Sequence, residues 1–433
     1  MDKPSTLYRA EDAACRHLPL SRRHLLGLIP AFAAFPVAAA ERPALIRVTT
    51  LDPKGPGSLR AALEAQGPRL IVFEVGGIID LGKENLRIRE PFVTVAGETA
   101  PAPGITLIRG GVSVQAHHVV IRHIAVRPGT AGMAAKSGYE PDGLSCTAAH
   151  DVRIENCSFT WAVDEALSAS GPRFEGAALA DWRANTSHNI VFKNNLIAES
   201  LHHASHSKGA HSMGSLLHDN VTGALLIGNV YAHNNERHPL IKGGAQAVVV
   251  NNVFVNPGTA CAQYTLVEDQ WQGRDYVTGR LLLRGNVMRG GADTRPGLGM
   301  LKFGGGGDLE LHAADNIATY ADGRTAPAIS YYQARPDGYE DAAPYRPKGM
   351  IRAMPKENLW PQGLRLHPAD RVEAEAFRQA GARPWARDPI DARIIADAKT
   401  GKGRIIDNEA DVGGYPTRTA TKRAFREAYL LKS

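Results

Sequence analysis

This sequence predicts an all-β fold, a right-handed parallel β-helix (a solenoid) with an N-terminal capping helix and a C-terminal tail packed on the coil, on three observations. Short apolar runs starting at Val152, Ile190, Leu225, Val248, Leu281 and Leu309 share one form, and each ends in Asn. The Asn residues at 195, 229, 252, 286 and 316 follow one another at intervals of 34, 23, 34 and 30 residues. That is one coil of twenty-odd residues with variable insertions, and a unit so small cannot bury its own apolar face without stacking on others. The runs are rich in β-branched residues, have no helical periodicity and are not joined by Asn-Gly turns, which favours stacked coils over a sandwich of hairpins. With coils about 4.8 Å apart, the recurring Asn is expected to form a ladder at the turns, its amide satisfying backbone groups that bend away from the sheet.

Taken in order, residues 1–40 read as an export leader. Ser21-Arg22-Arg23-His24-Leu25-Leu26 leads into an apolar stretch and a small-residue end at Ala38-Ala39-Ala40, and the paired arginines favour the bacterial twin-arginine route to the periplasm or beyond. The apolar stretch is shorter than the roughly 20 residues a membrane span requires, so no membrane association is expected after its removal. Gly57 to Ala65 reads as a short capped helix that seals the first coil, ahead of a first strand from Arg69 to Val75. Val119 to His123 places a His where the Asn of the repeat would stand. Residues 41–320 then form the β-helix domain. From about Ala321 the repeat fades into Pro-, Gly- and charge-rich sequence with a helix near Pro368 to Gly381, so 321–433 reads as a tail packed along the coil of a monomer.

The net charge of +6 falls to +4 once the leader is gone, too mild to imply a nucleic-acid partner. Cys146, Cys157 and Cys261 have neither zinc-ligand nor redox spacing and read as small buried hydrophobes, one disulfide among them being the alternative.

The chemistry concentrates between Asp142 and Gly244. Asp142 and Asp164 are 22 residues apart, close to one coil, so their carboxylates are expected to stack on one face. Two stacked carboxylates ask for a cation, and calcium suits them because it takes oxygen ligands at about 2.3–2.6 Å in loose geometry. Glu165 joins them only if the strand has ended there, since adjacent strand residues point to opposite faces. Lys208, Arg237 and Lys242 follow on later coils, and a row of cations beside a carboxylate-bound metal suits a polyuronate. Ordinary solvated surface charge is the alternative for each of these residues. The histidines at 202, 203, 206, 211, 233 and 238 read as loop residues bordering the groove, and Gly304 to Gly307 as a flexible turn, since no Lys-Ser or Lys-Thr follows it.

Thr94 to Pro101, Ile121-Arg122-His123, Asp164-Glu165-Ala166-Leu167-Ser168, Lys208-Gly209-Ala210-His211, Gly381 to Pro384 and Val412 to Pro416, with Leu51-Asp52 and Gly57 to Arg60 near the start, resemble landmarks of the pectate lyases of the first polysaccharide lyase family. The resemblance implies a calcium-dependent parallel β-helix enzyme that cleaves polygalacturonate by β-elimination. It implies Asp142 and Asp164 as calcium ligands, Lys208 as the residue holding a substrate carboxylate, and Arg237 as the base. His211, in the same motif as Lys208, and Lys242, where the family has a further arginine, are implied in substrate binding. The sequence departs from the family at Ser168, where a second aspartate is usual and Glu165 is the candidate replacement, and at Leu240, where the family commonly has Arg. Lysine at 242 keeps the charge but loses the bidentate fork.

Arginine is an awkward base, because an isolated guanidinium stays protonated. Lys208, Lys242 and the metal are the groups able to favour its neutral form; otherwise Arg237 stabilises the enolate and another group takes the proton. Besides a lyase, two readings stand: a β-helix hydrolase, which needs two carboxyls flanking a water, and a noncatalytic protein that binds acidic glycan.

Overall fold

The computed structural model describes residues 42–432 apart from 336, 337 and 345. Leader residues 1–40 lie outside it.

Three long sheets run side by side along the molecule, and each coil of chain contributes one strand to each. The first holds eleven strands from Ala44–Val48 to Ile351–Ala353, the second nine from Leu86–Ile88 to Ile329–Ser330, and the third ten, from Val75–Asp80 to Ile317–Thr319 with Thr421–Lys422 at one edge. Every pairing within them is parallel except that of Thr421–Lys422 with Val75–Asp80. The parallel β-helix is therefore the fold. It starts earlier than expected, since Ala44–Val48 precedes the expected first strand, Arg69–Phe73. It also runs further, because Ile329–Ser330 and Ile351–Ala353 extend two of the sheets beyond residue 321.

Register fixes what stacks on what. Ile121, Ile154, Phe192, Leu226, Val249 and Leu283 occupy equivalent positions on successive coils and are all buried in the interior. Burying such side chains contributes about 1.5–3 kcal/mol each. On the later coils the outward-facing positions of these strands include apolar residues too. Leu225, Val248 and Leu282 are covered by Leu359, Trp360, Leu364 and Leu366 of the tail. Helices Ala369–Gln379 and Pro389–Thr400 cover the third sheet, with Val372, Phe377 and Ile394 against Leu196, Val230 and Val253. Arg127, fully buried, holds this cover with ion pairs of 2.8 Å to Asp388 and to Asp391. The second helix was not foreseen, although Asp388 caps it through the N–H groups of Ile390 and Asp391 and Pro389 opens it. The N-terminal cap is helix Leu59–Glu64, with Ser58 accepting from the Ala61 N–H.

The Asn ladder is present. Asn195 Nδ2 donates to Asn229 Oδ1 at 3.0 Å, Asn229 to Asn252 at 2.9 Å, Asn252 to Asn286 at 3.0 Å and Asn286 to Asn316 at 3.0 Å. Each amide also donates to a backbone carbonyl, as Asn229 does to Phe192 O at 2.9 Å, and each Oδ1 accepts a backbone N–H from the preceding coil, as Asn229 does from Asn195 at 2.9 Å. His123 is not in this ladder. It falls one residue earlier, in line with Asn156, Asn194, Gly228, Asn251, Gly285 and Asp315, where every residue has φ between 50 and 68° and the chain turns in the left-handed region. The ladder row continues from Asn195 back to Cys157. That cysteine, like Cys146 and Cys261, is a buried free thiol.

Truncating one ladder member exposes the rest. Asn252→Ala leaves the Asn229 N–H and the Leu226 carbonyl without their side-chain partners, both buried, at about 1–3 kcal/mol per orphaned group. Chemical denaturation is expected to show a loss of several kcal/mol, against less than about 0.5 kcal/mol for an exposed Asn→Ala elsewhere.

Candidate active site

The three carboxylates meet at the edge of the second sheet. Leu144 pairs with Leu167, so Asp142, two residues earlier, lies level with Glu165 on the next coil, and the Gly143 N–H donates to the Glu165 carbonyl at 3.0 Å. Counting residues had put Asp164 above Asp142; the register is longer by one, because Asp164 lies in the bend that precedes strand Glu165–Ser170. Outside the strand, Asp164 escapes the alternation and turns to the same side as Glu165. One carboxylate oxygen from each of Asp142, Asp164 and Glu165 lies within 4.8 Å of the other two.

Burial pushes all three carboxyls above the ordinary carboxylate range. At Asp142 the charges of Glu165 and Asp164 add to the effect, whereas at Asp164 and Glu165 the Arg237 guanidinium opposes it. Arg237 Nη1 is ion-paired with Glu165, and its Nε lies 3.9 Å from Glu236. The Arg237 backbone, at a φ of 66°, is fixed by its N–H, which donates to Gln263 Oε1 at 2.8 Å. Gln263 in turn donates to Glu236 Oε2 at 3.2 Å. A trio of half-desolvated acids balanced by one guanidinium is short of positive charge. The all-oxygen donor set matches a hard divalent cation. Ser168 is buried, level with Ser145 and Leu216. It lines the same cleft as Asp142 and Glu165 but brings no charge.

Two histidines back this cluster. His206 Nε2 lies 3.7 Å and His211 Nε2 3.9 Å from Asp164, with the rings stacked at 3.4 Å. His211 Nδ1 is 3.2 Å from the Gly209 carbonyl, which only accepts, so Nδ1 carries the proton. Burial holds His211 neutral, its pKa lowered to about 4. Lys208 sits on the turn between them, exposed, with no ion pair or side-chain hydrogen bond among the described residues. Its ammonium steadies the Asp164 carboxylate from a distance.

Lys242 is placed differently from Lys208. It ends strand Leu240–Lys242 and is buried, hydrogen-bonded to Gln270 and 3.4 Å from Asp219 Oδ2. Burial lowers its pKa and Asp219 pulls it back up. Asp219, which sequence reasoning missed, has a fully buried side chain and also accepts from Arg173 Nε and Trp271 Nε1 at 3.0 Å each. Its signal was an acid on the coil between Lys208 and Arg237, with no apolar alternation to explain it. Arg173, Arg274 and His218 join Asp142, Glu165 and Ser168 around an open cleft of about 740 Å³.

No protein-family model matches the chain. It is 28% identical over 378 residues to a probable pectate lyase C of Neosartorya fischeri, covering 86% of this chain and 76% of that one. A probable pectate lyase C of Aspergillus fumigatus is also 28% identical, over 374 residues with the same two coverages. Both sources are fungal and lend no support to the bacterial origin that the paired arginines suggest. Among solved structures, the crystal structure of jun a 1, the major allergen from cedar pollen, matches with a TM-score of 0.51 at 13% identity, over 78% of this chain and 88% of that one. That likeness bears on the fold alone. The expected resemblance holds: the chain is a parallel β-helix protein similar, over most of its length, to curated probable pectate lyases.

Proposed function

We propose that the chain is an exported polysaccharide lyase that cleaves polygalacturonate, or a closely related polyuronate, by calcium-assisted β-elimination. The β-helix, which passes the expected boundary at residue 320 and reaches Ile351–Ala353, forms the lyase domain and the chain beyond it the tail, and the protein acts as a monomer outside the cytoplasm, with an acidic polysaccharide as its partner and neither nucleic acid nor membrane. No helix of the described residues is long and apolar enough to cross a membrane. The observation that carries the reading is the cluster of three carboxylates, with Glu165 ion-paired to Arg237 and Asp142 and Glu165 lining an open cleft, in a chain with curated relatives named for this activity.

In this reading Asp142, Asp164 and Glu165 hold the calcium, which when bound draws charge from the uronate carboxylate and acidifies the neighbouring C–H. Lys208, uncommitted at the rim, receives a sugar carboxylate. Arg237, in its neutral form, takes the proton from the carbon beside the carboxylate; the C–H electron pair forms the double bond to the next carbon, whose glycosidic C–O bond breaks. The oxygen leaves with the electrons of that bond and picks up a proton from water, leaving a double bond conjugated to the carboxylate. His211 keeps Asp164 in place and lies against the substrate. Lys242 acts from behind the cleft wall, where it and Arg237 repel each other and so favour a neutral guanidinium.

Two kinds of measurement test this, the first on turnover and binding. Mixing the protein with polygalacturonate is expected to give ultraviolet absorbance that grows with calcium and vanishes with chelator. Arg237→Ala is expected to lower kcat by about 10²-fold or more while affinity for the polymer changes little. New reducing ends without absorbance would overturn the lyase reading in favour of hydrolysis.

The second is thermal. A carboxyl whose pKa is higher folded than unfolded binds its proton more tightly in the folded chain, so stability falls as pH rises from the unfolded value, about 4, through the folded one. Asp142 lies on that side. In chelator at neutral pH, Asp142→Asn is therefore expected to raise the melting midpoint by about 2–4 °C and to abolish any rise that calcium gives the wild type.

A further inference from the structure

Three coils bring the same kind of dipeptide to the corner where the first sheet begins. His117-His118 precedes Val119, His150-Asp151 precedes Val152, and His188-Asn189 precedes Ile190. Val119 pairs with Val152, and Val152 with Ile190, so the dipeptides stand in register. His117, His150 and His188 stack face to face, with centroids 4.8 and 4.7 Å apart and planes within 10° and 9°. Next to that stack runs a row in the left-handed region, His118, Asp151 and Asn189, with φ of 55, 54 and 53°.

Between the rows, electron pairs converge. His150 Nδ1 lies 2.8 Å and His118 Nδ1 4.0 Å from Asp151 Oδ2, and His117 Nδ1 lies 2.8 Å from His118 Nδ1. One ligand atom from each of His118, His150 and Asp151 lies within 4.8 Å of the others.

We propose that His118, His150 and Asp151, with His117 beside them, form a binding site for a transition-metal dication of the zinc class, which ties two neighbouring coils together. Nitrogen atoms turned toward one another and toward a carboxylate are held either by protons or by a cation that replaces them. A tetrahedral zinc site with bonds of about 2.0–2.1 Å has ligand-to-ligand edges of about 3.3 Å, and the contacts of 2.8 and 4.0 Å bracket that value. Two imidazoles and one carboxylate suit zinc rather than calcium, which prefers oxygen alone. Asn189 Nδ2 donates to the other Asp151 oxygen at 3.2 Å and so orients the carboxylate. The ion can reach the site: the three side chains are between 19 and 35% exposed, and Asp151 lines an open groove of about 410 Å³. None of the three lines the cleft that holds Asp142 and Glu165, so the site is independent of the proposed lyase chemistry.

The test is a calorimetric titration of the metal-free protein with zinc chloride, paired with melting curves in zinc. The wild type is expected to bind one more equivalent of zinc than His150→Gln or Asp151→Asn, and to show a zinc-induced rise in melting midpoint that both variants lose. His203→Ala, altered in the exposed His202, His203 and Asp407 group, is expected to keep both. Asp151→Asn preserves the shape of the side chain and carries the test if His150→Gln fails to fold. Zinc stoichiometry and affinity unchanged in Asp151→Asn, or no wild-type binding up to about 0.1 mM zinc, would overturn the proposal.

Discussion

Everything in this molecule depends on one constraint, the parallel register that sets each coil about 4.8 Å above the last. Whatever side chain occupies a position meets its counterpart from the next coil at that distance. Apolar residues profit at once, as the row from Ile121 to Leu283 does. Amides profit because donor and acceptor alternate along the ladder from Asn195 to Asn316. Imidazoles stack on their faces, as at His117, His150 and His188. Carboxylates are the exception, since stacking repeats their charge without relief. Glu165 level with Asp142 is therefore the position in the coil where the architecture works against itself, and Arg237 is the compensation built into the chain.

That compensation bears on what Arg237 can do. An ionised carboxylate beside a guanidinium favours the charged form of both partners. Paired with an ionised Glu165, the guanidinium is driven further toward its charged form, the wrong direction for a base. A second positive charge on the carboxylates reverses this, and so does the nearby Lys242. Arg237 is thus suited to proton removal only when the trio is charge-balanced by something other than Arg237 itself. In the proposed elimination a charged Arg237 has the enolate, rather than the proton, as its task.

The solenoid was legible in the sequence because its signals are local: a strand-ending Asn and a capped helix at Ser58 need no knowledge of partners. Register was legible only to within a residue. Asp142 was matched to Asp164 because a count of residues does not reveal where the strand begins, and His123 was matched to the ladder because the turn before it has its own row of left-handed residues. Charges were legible as a set but not by depth. Lys208 and Lys242 look alike in sequence, yet one is exposed on a turn and the other is packed against Asp219 and Gln270. Asp219 sits on an intervening coil, and nothing local to Lys242 announces it.

Two segments far apart in the sequence, 171–188 and 259–280, meet in the structure. Arg173 Nη2 donates to Gln270 Oε1 at 3.0 Å, Phe174 packs edge-on against Trp271 with centroids 5.3 Å apart, and the Arg274 guanidinium lies 4.4 Å from the Phe174 ring centre. Arg173 and Trp271 are both tied to Asp219, which also holds Lys242. One buried carboxylate therefore positions residues from both loops and a strand of the sheet beneath them. The cleft wall is a single hydrogen-bonded unit, so a change in either loop reaches the other through Asp219.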